Sequence, residues 1–242
     1  GNLHFEGLVL LFLMASIWAI QKGKLGLSGS FWGFAVGIKL LPLMLGLVFL
    51  AFEKSRKSAW FWAGMTLAIV ISFIPLLIDD SWVNFAQSIK LYQGKFEFNA
   101  SIYYLLREVG FWIEGYNTIA FLTKILSLTT FFLIGYFSWK RQPKSLLELV
   151  DLMVLIYLVY LVLQPVVHPW YILPALGLSV MQGKMTFLLW SFGAIFSYQA
   201  YGNVDFQEQS IFLILEYGLV VLGIYLDYFS KKMKPHRHIE VT

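Results

Sequence analysis

Cysteine is absent from all 242 residues. That excludes a disulfide framework and any thiolate-held metal centre, and leaves the redox compartment unread. Charge is scarce too: only 13% of residues are Asp, Glu, Lys or Arg, against about a quarter in a soluble domain. There is no Gly-rich phosphate loop, no zinc-binding helix and no nucleophile elbow. No cofactor is evident, and nucleic acid is not an expected partner. Residue 1 is Gly, and no basic start with a short apolar run and a small-residue cleavage site follows it. The chain is therefore expected to be the later part of a longer protein.

What is abundant is apolar surface, with 59% of residues hydrophobic. That much apolar surface needs lipid as its solvent. The expectation is an all-α, polytopic membrane protein forming a single membrane-embedded domain over 1–242. Apolar segments fall at 8–20, 25–38, 40–52, 59–78, 119–139, 146–163, 170–182, 185–201 and 209–229. These are about nine hydrophobic helices, some short or hairpin-forming. Basic residues group at Lys22 and Lys24, at Lys54, Arg56 and Lys57, at Lys140, Arg141 and Lys144, at Lys184, and in a tail over 230–242. The positive-inside rule puts all of these groups in the cytoplasm. Loops 1–7, 79–118, 164–169 and 202–208 then lie outside, carrying Glu6, Asp79, Asp80, Glu97, Glu108, Glu114, Asp205 and Glu208. Both flanks of 25–52 are basic, so that stretch goes out and returns. Each arm reaches roughly 20 Å at the helical rise, which suggests a V-shaped hairpin turning at Lys39 to Pro42.

Loop 79–118 is too long for a plain connector. From Phe98 to Ile113 it reads FNASIYYLLREVGFWI. Ile102, Leu105, Leu106, Val109 and Ile113 recur at helical spacing, opposite Arg107 and Glu108. This predicts an amphipathic helix on the outer membrane surface, with Asn99 or Ser101 as its cap. Asn99-Ala100-Ser101 also matches a glycosylation sequon.

Polar groups near a bilayer are costly and are candidates for function, and here most fall on the outer face. Lys39 in FAVGIKLLPLM could hold a phosphate, or could snorkel to the interface. Asn2, His4 and Glu6 in GNLHFEG suit sugar hydroxyls, or form an ordinary capping loop. His168 in QPVVHPWYILP could bind a phosphate or move a proton, or be structural. Its neighbours Trp170 and Tyr171 could belong to an interfacial aromatic belt. Arg107 could meet a lipid phosphate or lie on a solvated face. Asp79 and Asp80 read as a solvated helix end. Glu148 and Asp151 suit a helix N-terminus.

GNLHFEG, IKLLP, FEFNASIYYLLREVG and VHPWYILP, in this order, resemble bacterial members of the GT-C membrane glycosyltransferases. The closest likeness is to mannosyltransferase-like proteins distantly related to GPI mannosyltransferase I. The resemblance implies transfer of a hexose, mannose by preference, from a polyprenyl-phosphate donor to an acceptor on the extracytoplasmic face. It adds Asn99 and Tyr171, from the Asn-Ser loop and the Trp-Tyr turn, to Asn2, His4, Glu6, Lys39, Arg107 and His168 as substrate-binding residues. It also implies an acidic residue in a first outer loop, which has no counterpart here and is expected upstream. The partners implied are a polyprenyl-phosphate sugar and membrane lipid. The implied location is a bacterial inner membrane, with the endoplasmic reticulum membrane also open. A transporter and a non-catalytic membrane subunit are the competing readings. Transport is disfavoured because no second half mirrors the first.

Overall fold

The computed structural model of the chain describes residues 4–78, 81–202 and 206–230. Asn2, Asp79, Asp80, Asp205 and the basic tail from Lys231 onward lie outside the described residues. The described chain is helical throughout. The helices are α1 (Glu6–Gln21), α2 (Leu25–Ile38), α3 (Leu41–Ala51), α4 (Ala59–Leu77), α5 (Ser81–Lys95), α6 (Ile102–Glu114), α7 (Ile119–Arg141), α8 (Leu146–Leu163), α9 (Leu173–Gln182), α10 (Thr186–Gly193) and α11 (Ser210–Phe229). Four of them, α4, α7, α8 and α11, are long and apolar enough to cross a membrane. The rest are shorter, and several begin or end in 3-10 turns.

Helix α8 forms the centre. Two-thirds of it is buried, against 11% of α4, because α1, α3, α7 and α9 pack around it. Its start is fixed by Ser145, whose hydroxyl accepts from the Glu148 amide at 3.2 Å, while Glu148 accepts from the Lys144 amide at 2.8 Å. These reciprocal bonds satisfy amides that a helix start leaves open.

The stretch 25–52 does turn at Lys39, but its arms find different partners. Helix α2 packs on α1 and α4, whereas α3 packs on α7 and α8. The turn is pinned by Trp32, whose indole donates to the Pro42 carbonyl at 3.0 Å. The α2–α4 contact depends on glycine. A Cβ on Gly29 would lie 1.8 Å from the Phe61 carbonyl oxygen, and one on Gly33 would lie 2.5 Å from that of Met65. Small residues let two apolar helices touch backbone to backbone, which is the main source of packing energy where lipid competes for side chains.

Loop 79–118 contains two helices, α5 and α6, where the periodicity predicted one. The sequence of α5 has little amphipathic pattern to reveal it. Helix α6 starts as expected after Ser101, but neither Asn99 nor Ser101 caps it with a side chain. The Ser101 hydroxyl donates instead to the Val162 carbonyl at 2.9 Å. The apolar face of α6 is left uncovered by the chain: Leu105, Trp112 and Ile113 are all exposed. That is the arrangement of a helix resting on lipid.

Gly33→Val is expected to destabilise the fold by about 3 kcal/mol or more, since overpacking against backbone has no side chain to yield. Gly7→Ala, with open space around it, should be neutral. Thermal unfolding of the detergent-solubilised full-length protein checks both.

Candidate functional site

Glu6 begins α1 and Lys39 follows α2. Both helices open toward the turn that carries His168, so the three side chains meet at one end of the bundle. They line a pocket of about 360 Å³ with His4, Phe5, Ile38, Trp170 and Tyr171. Glu6 is buried at 3% exposure and forms an ion pair with the half-buried Lys39. The Lys39 ammonium also lies 3.7 Å from the centre of the Tyr171 ring, a cation–π contact. Burial pulls the Lys39 amine below the usual lysine range, and Glu6 opposes that shift.

A ring stack forms one wall. His4 lies 3.6 Å from Trp170, and Trp170 lies 4.5 Å from His168, the latter pair within 10° of parallel. Tyr171 meets His168 edge-on at 5.2 Å. Burial, then the charges of Lys39 and His4, push the His168 imidazole down to about 4. It is therefore neutral at physiological pH and adds hydrogen-bonding capacity without charge. Its Nδ1 lies 3.3 Å from the Tyr201 hydroxyl.

The His168 turn is held by the segment that precedes α6. The Phe98 amide donates to the Pro165 carbonyl at 2.9 Å and the Val167 amide to the Phe98 carbonyl at 2.8 Å, an isolated parallel bridge. Asn99 takes a left-handed φ of +48°, which Asn tolerates better than most residues. Its side chain is fully buried. Its amide nitrogen donates to the Val167 carbonyl at 3.2 Å and to Glu216 at 2.9 Å. Its backbone amide donates to Glu208 at 2.7 Å, and its carbonyl accepts from Tyr217 at 2.6 Å.

Of the residues singled out from sequence, His4, Glu6, Lys39, His168 and Tyr171 come together in the pocket. Asn99 stands behind the turn, and Arg107 lies on α6. Asn99 bonds to protein on every side except Oδ1, so a glycan could not reach it in the folded chain. Arg107 pairs with Glu97 at 2.5 Å and Glu108 at 3.0 Å. Glu97 also accepts from Tyr103 at 2.5 Å and from Asn117 at 3.0 Å, which knits the two ends of α6 together.

Three participants emerge only from the fold. Trp170 reads from sequence as one of an aromatic pair, and the fold sets it between two histidines. Glu208 reads as a loop charge. Glu216 lies inside an apolar run, where an ionisable residue is itself the signal.

At the opposite end of the bundle, Asp151 pairs with Arg141 at 2.8 Å and with Lys184. Asp227 accepts from the Met185 and Thr186 amides at 2.8 and 2.9 Å. Arg141 and Lys184 therefore lie away from the pocket.

Below its unfolded value of 6.5, a histidine that stays neutral in the folded chain opposes folding. The acid loss of stability between pH 6.5 and about 4 should thus shrink in His168→Gln. Unfolding midpoints of wild type and variant across that range check the sign.

The profile of glycosyltransferase family 87 matches residues 4–165, two-thirds of the chain. No curated protein and no solved structure matches. The matched stretch includes His4, Glu6, Lys39, Asn99 and Arg107, and stops just short of His168.

Proposed function

The chain belongs to glycosyltransferase family 87, and from that premise we propose that the pocket transfers a hexose from a polyprenyl-phosphate donor on the extracytoplasmic face. The observation that carries this reading is the convergence of Lys39 with the His4–Trp170–His168 stack at the end of α1 and α2. In such a transfer an acceptor hydroxyl gives its proton to a base, which the resemblance implies is the acid of the family's first outer loop, and attacks the anomeric carbon as the bond to the lipid phosphate breaks. Charge builds on the departing phosphate. Lys39, fixed between the Glu6 carboxylate and the Tyr171 ring, is the cation placed to meet it. Flat ring faces suit the C–H faces of a hexose, and the neutral His168 and the Glu6 carboxylate offer hydrogen bonds to its hydroxyls.

A second cavity of about 350 Å³ adjoins this wall and shares Trp170 with the pocket. Ile172, Leu173, Leu176, Ala194 and Ile195 make it mostly apolar. It is the seat proposed for the first isoprene units of the donor. We propose that Arg107, which is paired with Glu97 and Glu108, also meets lipid headgroups.

Mannose is the sugar proposed, on the likeness to mannosyltransferase-like proteins, and a bacterial inner membrane is the location proposed. The tie to GPI mannosyltransferase I has no support beyond the four motifs. Family membership favours an enzyme over the transporter and the non-catalytic subunit.

In membranes carrying the full-length protein, Lys39→Ala should lower sugar transfer from a polyprenyl-phosphate donor by about 10²–10³-fold, the range for loss of one charge-stabilising group. Lys39→Arg should retain part of it. Turnover unchanged in Lys39→Ala would remove this lysine from the site.

A further inference from the structure

Glu216 lies on α11, about 9 Å in from its outer start at the helical rise, and its side chain is fully buried. Both of its hydrogen-bond donors go to one oxygen. Asn99 Nδ2 and Trp190 Nε1 each donate to Oε1 at 2.9 Å, while Oε2 has no partner. Among the described residues no cation pairs with it. The nearby acid Glu208 is engaged by the Asn99 amide and the Tyr104 hydroxyl, and the Tyr217 hydroxyl donates to the Asn99 carbonyl.

An ionised carboxylate spreads its charge over both oxygens. Leaving one of them buried and unbonded, with no cation near, is among the costliest arrangements available. The orientation of Asn99 sharpens the point. Its amide nitrogen faces two acceptors, Val167 and Glu216, so the assignment of its nitrogen and oxygen is fixed. Its Oδ1 is then left without a donor as well. Two neighbouring residues already joined by one hydrogen bond thus each carry an orphan acceptor. A proton on Glu216 Oε2 turns one of these two unpartnered acceptors into a donor and removes the buried charge.

We propose that Glu216 is a neutral, protonated acid in the working protein and a positioning residue for the His168 turn. It locks the Asn99 side chain, Asn99 holds the Val167 carbonyl, and the backbone bonds of Phe98 to Pro165 and Val167 set His168 and Trp170 at the pocket wall. Gly193 lets the acid sit there: a Cβ at that position would lie 3.2 Å from the Glu216 backbone.

The positioning role rests on the pocket being the site of transfer, whereas the protonation state does not, and the test separates them. In lipid nanodiscs at neutral pH, the infrared difference between wild-type full-length protein and Glu216→Gln should contain the C=O stretch of a protonated carboxyl. A difference containing carboxylate bands instead would overturn the proposal. In transfer assays Glu216→Gln, which keeps one acceptor and one donor, should stay within about threefold of wild type. Glu216→Met, of similar length but without polar atoms, should lose at least tenfold. Glu216→Gln folding normally but falling to the level of Glu216→Met would overturn the positioning role. If the infrared result holds while Lys39→Ala leaves transfer unchanged, the pocket assignment fails and the protonated acid stands.

Discussion

Asn99 is the point on which the pocket end of the molecule depends. Its four hydrogen bonds join the loop before α6, the His168 turn, residue 208 and α11. In lipid or at its edge, a backbone amide or carbonyl has little water to turn to. A non-helical segment there must satisfy itself on protein. Residues 96–101 and 164–168 do so by bonding to each other, with Asn99 in a left-handed conformation to make the geometry work. Without that junction neither turn has a reason to stay beside the mouths of α1 and α2.

The pocket follows from the same shortage of water. Lys39 emerges where an apolar helix ends, and a bare ammonium there would be expensive. Glu6, from the start of the neighbouring helix, makes it affordable by pairing, and Tyr171 covers the remaining face with its ring. The pair leaves Lys39 partly exposed, so it can still meet an anion. A charge that is compensated but not sealed is what phosphate recognition needs. The same site presents a histidine kept neutral by burial and by the lysine beside it, so the two groups divide the work of charge and of hydrogen bonding.

Much of this was legible in the sequence. Helix α2 falls on the apolar run 25–38 because lysines and a glycine bound it. The grouping of His4, Glu6, Lys39 and His168 on one side followed from charge alternation, since membrane helices leave charged residues few places other than their ends. What was not legible is long-range pairing. Asn99 read as a cap or a sequon because those are local meanings, whereas its partners lie 68 and 117 residues away. Arg107 reads from sequence as a solvated residue or a lipid-phosphate contact, whereas in the fold it pairs with Glu97. Helix α5 escaped because its residues follow neither an apolar run nor a clear stripe.

The boundary of the family match bears on how the site is built. The matched stretch ends at residue 165, yet three of the eight residues that line the pocket come from 168–171. The apolar groove proposed for the donor chain lies wholly within 169–198. The matched part therefore supplies the cation, its counter-charge and the His4 ring, while the part beyond it supplies Trp170, His168, Tyr171 and the apolar groove. The two are joined where Phe98 meets Val167, and α11 reaches that joint through Glu216. The pocket is therefore a product of long-range packing: the ion pair from the first two helices meets the ring wall only because the junction at Asn99 holds the later turn against them.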